Sequence, residues 1–309
     1  MSVSVIMSTF NRERYIASAV ESVLEQSHRA FELIVVDDAS TDGTPDILAR
    51  LAARDGRLRV VRNAVNRGLP AGRNLCLSLA RHNLVACMDD DDIMLADRLA
   101  RQVAFLRDHP EVSVVTAAAR LIDDAGNVIG LSVPEIDLAR GRAEVRPALF
   151  LGLIHPAVMY RKPDVLRVGG YRQVALEDRD LWGRMVTAGY TVAAQPDVLL
   201  LHRRHVSIMQ GNLDALFEQG EYIDFNVARR LRGLEDLSLT AYRRAVAAEP
   251  LLQRVSRHRR MRAGIAFRKA TLFYSRREWR PFLMQMAAAM SLEPIQVCQR
   301  IAKKYSPGR

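Results

Sequence analysis

Four consecutive aspartates, Asp89, Asp90, Asp91 and Asp92, are the strongest chemical signal in this chain. Adjacent carboxylates repel one another, and a helix cap or turn needs only one of them. Such a run is stable when a cation or many hydrogen-bond donors neutralise it. Carboxylate oxygens suit a hard divalent cation, Mg2+ or Mn2+, which usually enters a protein site together with a substrate phosphate. Two more polar groups close apolar runs in the same manner: Ser8, Thr9 and Asn11 after residues 3–7, and Asp37 and Asp38 after residues 31–36. The set points to metal-assisted chemistry at a phosphate.

These groups can meet only if the elements that end in them lie side by side. Residues 3–7, 31–36, 58–61 and 84–88 are short apolar, β-rich runs. Between them fall helical patterns through Ile16, Ala19, Val20, Val23 and Leu24, then Ile47, Leu48 and Leu51, then residues 71–80. Asp42 lies among the cap and turn residues before the second helix. This alternation predicts an α/β fold: a mostly parallel, Rossmann-like sheet with helices on both faces. In such a sheet ligands bind beyond the carboxyl ends of the strands, where the aspartates and Ser8 fall. Further on, residues 99–106 read as a helix, and 112–116 and 120–122 as two separate strands. Residues 128–131 follow a turn at 123–127, 154–160 read as another strand, and 177–188 as a helix. From about Asn212 the strand signals vanish, and helices rich in Ala, Leu, Met and Arg remain.

Composition narrows the classes. The 309 residues are 49% apolar and 26% charged, as in a soluble globular chain. The net charge of +10 is uneven: residues 1–200 hold 24 basic and 26 acidic side chains, residues 201–309 hold 21 and 9. Three cysteines without CxxC spacing (Cys76, Cys87, Cys298) argue against a disulfide framework or a cysteine zinc site. The opening residues lack a signal-peptide pattern, and no apolar run approaches the roughly 20 residues that cross a bilayer. The expected location is cytoplasmic. The first strand–helix turn, residues 8–12, contains no glycine, and GxxxxGK[ST] is absent, which excludes the usual dinucleotide and P-loop cradles. A nucleotide is implied, held by side chains and metal.

Five blocks in this order resemble the family 2 glycosyltransferases, the inverting group with the GT-A fold: Ser4 to Asn11, Ile34 to Thr44, Asn66 to Asn74, Met88 to Asp92 as the DxD motif, and Val168 to Tyr171 with Glu177 to Trp182. The similarity spans about residues 2–208. It implies an enzyme of hexosyltransferase type that uses a nucleotide-diphosphate sugar, with UDP- or dTDP-sugars favoured, and a Mn2+ or Mg2+ cofactor. The resemblance maps the nucleotide pocket to Ser8, Thr9, Asp38, Gly68, Arg73 and Asp89, with Arg67 nearby and Asn11 at its edge. Asp91 is assigned the direct metal contact, with Asp89 and His205 as further ligands. Asp178 of the Glu-Asp pair becomes the general base for the acceptor hydroxyl, the usual task of a carboxylate within hydrogen-bond reach. Glu177 and Asp180 flank it, where acidic residues also complement a helix start. His155 and Arg203 are secondary site residues, and either His202 or His205 faces the metal. Arg73 reads equally well as a surface helix arginine, His155 as a structural histidine and Trp182 as core.

Residues 251–280 carry ten basic side chains and one acid, interleaved with Met261, Ile265, Phe267, Leu272, Phe273 and Trp279. The stretch suits an anionic membrane surface. Helical packing or self-association is the alternative, and clustered arginines could also meet nucleic acid. The expected division is a GT-A catalytic domain over 1–211, with a nucleotide-binding half at 1–110 and an acceptor half at 111–211, and a helical, Arg-rich region over 212–309. The expected function is transfer of a sugar to a glycan or lipid-linked acceptor in cell-surface polysaccharide or glycolipid synthesis, peripheral on the inner face of the membrane. A metal-dependent nucleotidyltransferase is the alternative enzyme, and a nucleic-acid-binding protein the non-enzymatic one.

Overall fold

A computed structural model describes residues 1–134, 153–204, 213–275 and 278–305. The chain divides into two compact units, Met1–Arg204 and His205–Arg309. The first unit is a mixed α/β layer structure. Its strands are β1 (Val3–Thr9), β2 (Phe31–Asp37), β3 (Leu58–Arg62), β4 (Leu84–Cys87), β5 (Ile93–Met94), β6 (Val112–Ile122), β7 (Val128–Ser132), β8 (Met159–Arg161) and β9 (Thr191–Arg203). Its helices are α1 (Ile16–Leu24), α2 (Thr44–Ala52), α3 (Leu69–Leu79), α4 (Arg98–Asp108), α5 (Lys162–Arg167) and α6 (Glu177–Thr187). One sheet runs in the order β3-β2-β1-β4-β8-β6-β9-β5, with β7 beside β6. Most paired positions are parallel: β1 with β2 and β4, β2 with β3, and β6 with β9. β8 enters antiparallel between β4 and β6. Strands β1, β2 and β4 are almost wholly buried, as expected of parallel strands covered on both faces.

Two expectations for the second half of this unit are corrected, and one strand is added. Residues 112–122 form one strand, because Ala117, Ala118 and Ala119 are fully buried beside β9 and that packing overrides the low strand propensity of alanine. Residues 154–160 are not a single strand: His155–Ala157 is a 3₁₀ turn, and only Met159–Arg161 pairs. Pro156 lacks the N–H that a continuous ladder needs there. The 13-residue strand β9 is hidden in the sequence because Pro196 breaks its alternation, and its register against β6 shifts around Ala117 and Ala118.

Two glycines bring α3 onto the strand ends. Gly68, at φ 84°, precedes the helix in a left-handed conformation that favours glycine. Gly72 lies against β1 so closely that a Cβ there would sit 2.1 Å from Ser8 Oγ and 3.0 Å from Ser8 Cβ. Cys76, one turn later, is buried and donates to the Met7 carbonyl.

The second unit contains α7 (Leu213–Arg230), α8 (Leu239–Ala247), α9 (Leu251–Ser275), α10 (Trp279–Leu292) and α11 (Pro294–Tyr305). A small core of Ala266, Ala289 and Val297 is lined by Phe267, Met286, Met290 and Ile301. Part of its positive charge is paired internally: Arg257 with Glu249 and Glu221, Arg259 with Glu293, Arg243 with Glu218. No helix among the described residues is long and apolar enough to cross a membrane.

The contact of α3 with β1 leaves no room for a methyl group. Gly72→Ala should therefore destabilise the first unit by about 1–3 kcal/mol, read by urea unfolding. Ser8→Gly in the same chain should recover most of that loss, because it removes the atoms the methyl group would meet.

Candidate active site at the strand ends

The four aspartates occupy the connection between β4 and β5, at the carboxyl edge of the sheet. They are met by three parts of the chain, with Asp90 and Asp91 sharing one. Asp89 Oδ1 accepts from Arg73 Nη2 at 2.9 Å. Asp90 Oδ1 accepts from Arg12 Nε at 3.2 Å, and the same nitrogen stands 3.9 Å from Asp91. Asp92, fully buried, accepts from the Arg203 amide at 2.7 Å and lies 3.0 Å from His202 Nδ1. Behind the run, the buried guanidinium of Arg98 donates to the carbonyls of Cys87 and Val158, tying β4 to the 3₁₀ turn. Burial pushes the Arg98 pKa down to about 10, still far above neutrality. The chain's own cations and amides thus hold much of the acidic run in place.

Charge differs along the run. Burial, then repulsion from Asp91, pushes Asp90 up to about 7. Burial also raises Asp92, against the pull of His202. For Asp89, burial acts upward, but Arg73 and the nearby histidines outweigh it, and its carboxyl stays below the usual range. Asp89 and Asp91 keep side-chain exposures of 29% and 14%, so both remain partly open to solvent. Oxygen donors of this kind fit a hard divalent cation. Among the described residues no three His, Cys, Asp or Glu side chains converge as a ready-made metal site. A cation at Asp89 and Asp91 would complete its shell from water and substrate oxygens, as Mg2+ commonly does. His205 lies outside the described residues.

The residues expected at the nucleoside pocket cluster at the ends of β1 and β2. Thr9 and Asp38 are buried, and Ser8 lies half-buried under Gly72. Asp38 takes three donors from one loop: Asn63 Nδ2 at 2.8 Å, the Arg67 amide at 3.0 Å and the Gly68 amide at 2.8 Å. It therefore anchors the entry to α3, and a ligand N–H would have to share those oxygens. Asn11, at φ 53°, accepts from the Thr41 amide at 2.8 Å and joins the loops after β1 and β2. Asp42 is a turn residue, accepting from the amides of Thr44 and Glu13.

Arg73 is not a surface arginine. It is 6% exposed and spans Asp89 and Glu177, the latter through Nη1 to Oε1. Burial opposes its charge, but Asp89 and Glu177 more than offset that and raise its pKa. Glu177 and Asp178 open α6. Burial pushes Glu177 up to about 7 and raises Asp178, while Arg73 pulls both down. Asp180 belongs instead to a buried pair with Arg184, whose guanidinium also reaches the carbonyls of Val168 and Gly170. His155 is 5% exposed, with Nε2 3.0 Å from the Tyr171 hydroxyl and Nδ1 3.9 Å from Asp89. Burial, reinforced by Arg73, holds it well below its ordinary pKa, so it is a neutral ring. Trp182 is core, at 1% exposure. Arg203 donates to the carbonyls of Asp91 and Asp123 at 2.8 and 2.7 Å and lies over the Tyr15 ring. It works as a latch between β9 and the acidic run.

Residues 4–165 match the family described as glycosyl transferase family 2. The chain belongs to that family. This glycosyltransferase is 37% identical over 193 residues to the glycosyltransferase EpsE of Bacillus subtilis (strain 168), covering 61% of this chain and 68% of EpsE. It is 30% identical over 200 residues to the amylovoran biosynthesis glycosyltransferase AmsE of Erwinia amylovora, covering 64% of this chain and 74% of AmsE. Among solved structures it is similar to S. aureus TarS in complex with UDP-GlcNAc, with a TM-score of 0.60 over 99% of this chain and 93% of the other, at 17% identity. The fold of this chain is therefore GT-A, and its class is glycosyltransferase rather than nucleotidyltransferase.

Arg12 joins the site beyond the expected residues, while Asp92 and His202, both named in the sequence, pair with each other. Arg12 follows Asn11 directly, and its signal was its place at a strand end facing an acidic run. Asp92 is the structural member of the run. Asp92→Ala would strand the Arg203 amide in the interior, and should cost about 1–3 kcal/mol in chemical unfolding.

Proposed function

We propose that this glycosyltransferase transfers a sugar from a UDP- or dTDP-sugar to an acceptor hydroxyl with inversion, in the synthesis of a surface polysaccharide or glycolipid. The observation that carries the reading is the meeting of the strand-end carboxylates with the Glu177-Asp178 pair around one arginine. TarS was solved with UDP-GlcNAc, which favours a uracil donor on the same fold. Ser8, Thr9 and Asp38 would line the nucleoside side, with Gly68 at the entry to α3. Asp89 and Asp91 would hold a divalent cation, with His205 as a further candidate. The cation supplies positive charge against the departing nucleoside diphosphate.

The reaction is one displacement. The acceptor oxygen forms a bond to the anomeric carbon as the bond from that carbon to the diphosphate oxygen breaks. The hydroxyl proton goes to Asp178, whose raised pKa makes it a better proton acceptor than an exposed aspartate. Glu177 stays on Arg73 and holds the start of α6. The transition state carries positive charge on the sugar ring, as in glycoside hydrolysis, and the buried acids around it match that charge.

The second unit suits docking on an anionic lipid surface that presents the acceptor. Trp279, Leu283 and Met284 on α10 are 55%, 62% and 71% exposed, and Tyr274 and Phe282 stack around Trp279. Lys269 and Arg280 are exposed nearby in sequence. Exposed aromatics beside basic side chains are the composition of an interfacial membrane contact.

Asp178→Asn keeps the shape but cannot take the proton, so turnover in a donor-hydrolysis or transfer assay should fall about 100- to 10,000-fold. Nucleotide affinity should be retained; weak binding with native turnover at saturation would make Asp178 a binding residue. In the native enzyme the rate should be full above the Asp178 pKa and drop as pH falls through it. That acid limb should lie above the ordinary aspartate value of about 3.9 and vanish in Asp178→Asn. For the membrane, phosphatidylglycerol-rich vesicles should shift Trp279 emission to the blue, Trp182 being buried already. Zwitterionic vesicles should not, and emission indifferent to anionic lipid would remove the docking surface.

A further inference from the structure

The geometry points to Arg73 as a positioning residue that ties the helix carrying Asp178 to the strand-end carboxylates, rather than as a contact to the nucleotide. This rests on the reading of Asp178 as the base.

The guanidinium is committed on both sides. One terminal nitrogen bonds Asp89 and the other Glu177, residues separated by 88 positions and carried by different elements. The side chain is 7% exposed, so little of it is open to an incoming phosphate. The planar fork of arginine can hold two carboxylates at once, and the ammonium of lysine cannot reproduce that geometry.

The next residue repeats the tie on the backbone. Asn74 Nδ2 donates to the Tyr171 carbonyl at 2.7 Å, and Asn74 Oδ1 accepts the Tyr171 amide at 2.9 Å. Gly170, at φ 64°, packs there so tightly that a Cβ would lie 2.8 Å from Asn74 Oδ1. Tyr171 in turn places its ring 5.8 Å from the Arg73 guanidinium and its hydroxyl on His155. Two adjacent residues of α3 therefore grip the segment that leads into α6 at both ends, Tyr171 and Glu177. Asp178 follows the second grip directly. Without Arg73, Asp89 and Glu177 would each lose the guanidinium that pairs with them, and the start of α6 would lose its tie to the end of β4.

The test uses Arg73→Met, Arg73→Lys and Glu177→Gln in the full chain. Binding is read with uridine diphosphate, and turnover by hydrolysis of UDP-GlcNAc, UDP-glucose or a dTDP-sugar. A displaced base costs about 100-fold, so Arg73→Met should lose about that in turnover. Its affinity for uridine diphosphate should stay within about threefold, a loss in kcat rather than in binding. Amide exchange over residues 176–181 should quicken about tenfold, as expected of a local unit released from its tertiary tie. Arg73→Lys keeps the charge but loses the bridge, and should recover part of the turnover. If Arg73→Met fails to fold, Glu177→Gln opens the same bridge from the other end and should show the same split.

Lost uridine diphosphate affinity with native turnover at saturation would make Arg73 a nucleotide contact and overturn the inference. Unchanged exchange over 176–181 would overturn it as well. The two failures separate cleanly. If Asp178→Asn turns over normally, the base assignment falls and takes this inference with it. If Asp178→Asn is inactive while folded Arg73→Met and Glu177→Gln both turn over normally, only the tie through Arg73 falls.

Discussion

One guanidinium shared by two carboxylates organises the catalytic unit. Arg73 sits under α3, with Asp89 at the end of β4 on one side and Glu177 at the start of α6 on the other. Taking an arginine out of water is costly unless partners meet its charge and its hydrogen-bond donors. Here the partners are acids that would otherwise repel each other. The bridge is therefore specific in both directions: the acids need the cation, and the cation needs both acids. Arg12, which meets Asp90, extends the same solution along the run, while Arg98 behind β4 and Arg203 on β9 hold the backbone around it through carbonyl oxygens. The outcome is a crest of carboxylates whose ionisation varies from one residue to the next, with Asp89 held charged and Asp90 pushed up to about 7.

That crest depends on close approach elsewhere. Helix α3 can carry Arg73 to the sheet only because Gly72 lets its backbone meet Ser8, and because Gly68 turns the chain into the helix. Asp38, bound to three donors of the loop before the helix, fixes where that turn begins. The end of β2 and the start of α6 are thus tied to one segment, through Gly68 and Arg73, five positions apart.

Much of this was legible in the sequence, and the exceptions have physical causes. Strands β1, β2 and β4 announce themselves because parallel strands buried on both faces are continuous apolar runs. The acidic run was visible because its charges cannot coexist unneutralised. The second half of the sheet was harder to read. β6 runs through three alanines whose strand state is decided by packing against β9, and β9 itself is interrupted by Pro196. Arg73 could not be placed from sequence, since its environment comes from residues 16 and 104 positions away. The same holds for Asp92, which looks like its three neighbours and differs only in meeting β9.

The order in which the sheet is assembled has a bearing on synthesis. Asp92 is joined to an amide 111 positions further along the chain, and β5, which follows it, pairs with Leu200 and Leu201. On a ribosome making the protein from its N-terminus, the acidic crest emerges long before the strand that closes it. The edge of β4 meanwhile waits for β8, and β6 for both β8 and β9. The nascent first half therefore carries an open sheet edge, and Asp92 lacks its partners, until residue 203 has left the exit tunnel. The sheet of the first unit is closed late, by the strand made last.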